Sequence, residues 1–146
     1  MRRLAAAALL AVAIAGCGGG SERSQQTSPS PAAKHTDKQL IRGWLAALNA
    51  GDYVSAASFF ARGAIVQQAE VFRLRDRAAA ERFNSRLPCK GTLGKVRDEG
   101  RTSLADFHLR RGPGGNCHGL VQVRFTIRDG KFTEWRQLPE PSGNVV

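Results

Sequence analysis

At 146 residues and 42% apolar composition, the chain is long enough for one domain with a real core and too short for two. Its formal net charge of +10 would suit a nucleic-acid partner, but the basic residues from Arg62 to Arg111 are scattered among acids. No basic run is interleaved with aromatics as single-strand binders require, so no nucleic-acid partner is expected. A solvated basic surface facing anionic lipid headgroups or envelope polymers is expected instead.

In chain order, Arg2-Arg3 forms a basic start and Leu4 to Ala15 an apolar run, which ends at Ile14-Ala15-Gly16-Cys17. The apolar run is too short to span a bilayer, which takes about 20 residues. Small residues running into a cysteine resemble a bacterial lipoprotein signal with its lipobox. The resemblance implies cleavage after residue 16, lipidation of Cys17 and a membrane partner through that anchor, with the protein held on the extracytoplasmic face of the cell membrane. Residues 17–35 then form a tether. Its Gly, Ser, Gln, Pro and Ala offer no apolar burial to offset the entropy of ordering. His35, at its end, is expected to be solvated.

The domain proper is read as residues 36–139, followed by a tail at 140–146. Thr36-Asp37-Lys38-Gln39 fits a capping box, and Leu40, Ile41, Trp44, Leu45 and Leu48 recur on one face of the helix it opens. Gly51 stops that helix, and Asp52 caps a second over Tyr53 to Phe60. Ala64 to Gln67 and Val71 to Leu74 read as short strands. Asp76 caps a third helix, Arg77 to Arg86, with Ala80, Phe83 and Leu87 inward, and Pro88 ends it. Strands follow over Thr92 to Glu99 and Thr102 to Arg110, then a loop at Gly112-Pro113-Gly114-Gly115. The order is that of an α+β fold, with three helices on one face of a curved antiparallel or mixed sheet.

The closing hairpin is the most informative stretch. Val121, Val123, Phe125 and Ile127 alternate with polar residues, and Asp129-Gly130 supplies a turn. A strict two-residue turn would set Glu134 and Arg136 beside Phe125 and Val123, at a desolvation cost of several kcal/mol each. A three-residue loop with a bulge at Gly130 instead turns Thr133, Trp135 and Gln137 inward and pairs Arg124 with Glu134 outside. The second register is expected. It leaves Phe132 on the outer face.

From residue 36 to 139 the chain resembles the nuclear-transport-factor-2-like (NTF2-like) superfamily with its SnoaL-like members, chiefly through Arg128-Asp129-Gly130-Lys131-Phe132-Thr133-Glu134-Trp135-Arg136-Gln137. The resemblance implies a cone in which the tryptophan and the second residue after it face a cavity. Expected ligand-binding residues are then Tyr53, Phe107, Phe125, Trp135 and Gln137, with Trp44 beside them. These make an apolar cup with a phenol and an amide for a small apolar or amphipathic ligand. Hydrolases and isomerases of the superfamily place carboxylates in the cavity; here the position is Gln137. A non-catalytic binding or protein-interaction module is therefore expected, with a SnoaL-like isomerase, cyclase or hydrolase as the alternative. No cofactor is expected. A second copy meeting the first through the sheet is a further expected partner.

Cys89 and Cys117 remain as an even pair, for which an exported chain implies a disulfide. Cys117 and His118, as neighbours on a strand, point apart and make a poor nucleophile and base. With His108 they lack metal-site spacing, so no metal is expected. Asp106 and His108 share one face at i, i+2, but Phe107 and Leu109 claim the core side. Both are expected outside.

Overall fold

A computed structural model describes residues 35–112, 115 and 117–139. The signal segment, Cys17 and nearly all of the tether lie outside the described residues, as do Pro113, Gly114, Asn116 and the tail.

Helix α1, Asp37–Ala50, starts on the expected capping box: Thr36 Oγ1 accepts from the Gln39 amide, and the Gln39 side chain accepts from the Thr36 amide at 2.8 Å. It ends on Gly51, whose φ of 75° is the left-handed conformation that glycine adopts without strain. Its inner face, Leu40, Ile41, Trp44, Leu45 and Leu48, is buried as the spacing required. Helix α2, Tyr53–Ala57, is shorter than expected, because the chain turns at Ser58 and strand β1, Phe60–Gln67, begins earlier. There follow β2, Val71–Leu74, helix α3, Arg77–Ser85, and strands β3, Lys90–Asp98, β4, Ser103–Arg110, β5, Leu120–Arg128, and β6, Lys131–Gln137.

The strands form one sheet in the order β2-β1-β6-β5-β4-β3. All neighbours are antiparallel except β1 and β6, which run parallel, so the sheet is mixed. Trp44 on α1 is the centre of the core. The rings of Phe60, Phe107, Phe125, Phe132 and Trp135 surround it edge-on at centroid distances of 5.8 to 6.4 Å. Asn49 fastens the other end of α1 to β3, donating to the Gly91 carbonyl and accepting its amide.

The hairpin corrects the expected register. Arg128 pairs with Lys131 across a two-residue turn with positive φ at both Asp129 and Gly130, which matches the right-handed strand twist. The extra residue lies inside β6: Thr126 faces Glu134 while Ile127 faces Phe132, which leaves Thr133 as the bulge. A bulge in either place turns Trp135 and Gln137 inward. Only this one also buries Phe132, which is fully inaccessible, and that burial is worth roughly 2 to 3 kcal/mol. Arg124 consequently faces Arg136 rather than Glu134. Their repulsion is relieved because Arg124 bonds Glu99 and Arg136 bonds Glu134, each at 3.0 Å.

Candidate functional site

The inward register of β4, β5 and β6 shapes a cavity of about 130 Å³ between the sheet and the carboxy-terminal half of α1. Trp44, Leu45 and Leu48 form its helical wall, and Phe107, Val123 and Trp135 its sheet wall. The segment Leu87 to Gly91 closes one side, with Gln68, Pro88 and Lys90 as the exposed rim. At the rim Gln68 donates to Gln137 at 3.1 Å, linking the end of β1 to the end of β6.

Of the expected ligand-binding residues, Phe107, Trp135 and Gln137 line this cavity, as does Trp44. Phe125 does not: it lies wholly within the aromatic core beneath. Tyr53 does not either. The first residue of α2, it is half-buried where that helix packs on α1 and α3. Residue type alone marks tyrosine as a polar anchor, but the short α2 holds Tyr53 away from the cavity.

The two tryptophans differ in a way that decides the chemistry. Trp44 Nε1 donates to Asn84 Oδ1 at 2.8 Å, and Asn84 is itself held through its amide on the Ala80 carbonyl. Asn84 is fully buried and was missed in the sequence, although its i, i+4 relation to the inward Ala80 marks the same helix face. Trp135 is 3% exposed, and its buried indole N–H has no acceptor among the described residues. A buried donor left unpaired costs about 1 to 3 kcal/mol.

Lys90 is the one ionisable side chain among the described cavity residues. Asp106 and His108 lie on the other face of β4, as expected, but only His108 is exposed there; Asp106 is buried. Asp106 accepts both Arg97 guanidinium nitrogens, at 2.8 and 3.0 Å, and the Gln122 amide at 2.9 Å. The Arg97 hydrogen bond, helped by Gln122, holds the carboxyl below its ordinary range against the opposing effect of burial. Such a group is a poor base. Among the described residues no three metal-ligating side chains cluster, and no helix is long and apolar enough to cross a membrane.

Cys89 and Cys117 form a disulfide beside the cavity mouth, where Cys89 contributes to the lining. Gly112 passes directly over this corner. A Cβ there would lie 2.6 Å from the Pro88 carbonyl oxygen and 2.8 Å from the Lys90 nitrogen, so only glycine fits.

The sequence has no significant match to a protein-family model or to a curated protein. Solved structures match the fold well. An NTF2-like protein of unknown function from Cytophaga hutchinsonii superposes with a TM-score of 0.61 at 13% identity, covering 74% of this chain and 93% of that one. A putative polyketide cyclase from Sinorhizobium meliloti gives 0.57 at 17% identity, over 68% of this chain and 93% of that chain. A putative ketosteroid isomerase from Kribbella flavida gives 0.56 at 18%, over 73% and 84%. The helices on a six-stranded mixed sheet thus form an α+β domain with the NTF2-like fold.

Proposed function

We propose that this chain is an exported, lipid-anchored protein whose NTF2-like domain binds a small apolar molecule bearing a hydrogen-bond acceptor and does not turn it over. One observation carries the reading: the buried, unpartnered indole N–H of Trp135, a side chain of the cavity wall. A ligand carbonyl, ether or similar oxygen satisfies that donor once the side chains that cover it shift aside, and the surrounding aliphatic and aromatic walls select the rest. A volume near 130 Å³ matches the scale of a cavity that admits a single aromatic ring. A one-ring or short-chain compound is therefore the ligand class. The same fold serves binding domains and isomerase- or cyclase-type enzymes alike. Binding is favoured because the described lining holds no carboxylate or imidazole, and Asp106 is engaged outside.

The test uses matched ring compounds with and without a carbonyl, followed by thermal shift and mass spectrometry. Carbonyl compounds bind more tightly to wild type, and Trp135→Phe removes the preference. Equal binding of both members, or product formation from any of them, defeats the proposal. The anchor is tested separately by detergent phase partitioning: wild type enters the detergent phase and Cys17→Ser stays in water. Association of two copies through the outer sheet face belongs to the same reading, and light scattering of the purified domain measures it.

A further inference from the structure

A second cavity, of about 280 Å³, lies between α3 and the edge strand β2. Phe72, Leu74 and Phe83 give it an apolar floor, and Arg82 and Arg86 line it with guanidinium groups, while Arg73 turns its guanidinium to the Gly63 carbonyl at 3.4 Å. Among the described residues no carboxylate pairs with Arg82 or Arg86; Glu81, beside Arg82 in sequence, is paired with Arg77 at 3.4 Å. Phe72 is 52% exposed, and the adjoining Val71, on the other face of β2, is 58% exposed. The exposed Phe72 beside two arginines without a carboxylate partner suits a partner that is both anionic and apolar. Another β-strand fits poorly, since Arg73 and Arg75 place charge along the free edge.

The geometry points to the β2–α3 face as a docking surface for an anionic membrane. Headgroup phosphates sit against Arg82 and Arg86, and Phe72 enters the interfacial layer, where aromatic side chains are favoured. This contact is independent of the Trp135 cavity and of acylation at Cys17. It would orient the domain on a surface rather than attach it.

Flotation with phosphatidylglycerol and phosphatidylcholine vesicles tests it. The full chain is prepared without acylation, as wild type and variants side by side, so that the amino-terminal segment contributes equally. Wild type binds the phosphatidylglycerol vesicles far better. Arg82→Gln/Arg86→Gln lowers that binding about 30-fold at low salt, and Phe72→Ala lowers it about fivefold. A control, Arg101→Gln/Arg110→Gln, removes the same charge from the far side of the sheet and changes binding less than threefold. All four side chains are exposed, and melting curves matching wild type show that the fold is kept. Equal losses in the two double variants, equal binding to both vesicles, or displacement by a short single-stranded oligonucleotide at lower concentration than vesicles would each overturn the proposal.

Discussion

Trp44 and Trp135 lie 6.3 Å apart in the same core, and only one has its donor satisfied. Trp135→Phe removes an unpaired donor at the expense of some contact area, so the unliganded domain is expected to melt within about 1 kcal/mol of wild type. Asn84→Ala does the reverse and strands the Trp44 donor, with an expected loss of about 2 to 3 kcal/mol in urea unfolding. If the two variants lose equal stability, the distinction between the tryptophans fails. Asp106 makes a third case. Its folded pKa lies below the unfolded value, so the Arg97 pair stabilises the fold at pH above about 4 and loses that effect as pH falls through the folded pKa. Because Arg97 is 41% exposed, the pair is worth only about 1 kcal/mol. Asp106→Asn should be less stable than wild type by that amount at pH 7 and should converge with it as pH falls through the folded pKa of the carboxyl. The outward facing of Asp106 was legible from alternation with Phe107 and Leu109. The guanidinium clamp was not, since Arg97 reaches it from another strand across a register shift.

Single elements were read best where one periodicity ran unbroken. Helix α1 appeared in the sequence from its cap to Gly51, because the capping box and the apolar stripe specify the same structure. Strand β6 was misread at one residue. Strict alternation cannot bury both Phe132 and Trp135, three positions apart, and an irregularity placed in the turn leaves Phe132 outside. The strand instead absorbs it at Thr133, whose hydroxyl returns to the Thr126 carbonyl at 3.1 Å. Deleting Thr133 then leaves Phe132, Glu134 and Trp135 in regular in-out-in order. The shortened hairpin is expected to fold, with tryptophan emission still that of a buried indole and a loss of about 1 kcal/mol from the missing hydrogen bond. Red-shifted emission would show that the bulge is indispensable.

For the molecule as a whole, the disulfide was legible from parity and compartment, whereas its place at the cavity mouth depended on how far β3 and β5 lie from each other in the sheet. Closing 28 residues of sequence separation constrains the unfolded chain by about 3 to 4 kcal/mol on the chain-entropy model. Cys89→Ala/Cys117→Ala should lose that much stability and, with the Leu87 to Gly91 wall loosened, should also bind the cavity ligand more weakly. Calorimetry with and without ligand reads both effects. The strand order has a further consequence, for folding on the ribosome. The last of the described strands, β6, is the seam between β1 and β5, so a nascent chain that has not yet reached Gln137 lacks both the join across the sheet and the rings that β6 brings against Trp44. Cooperative folding therefore waits for β6, the strand that joins the two parts of the sheet.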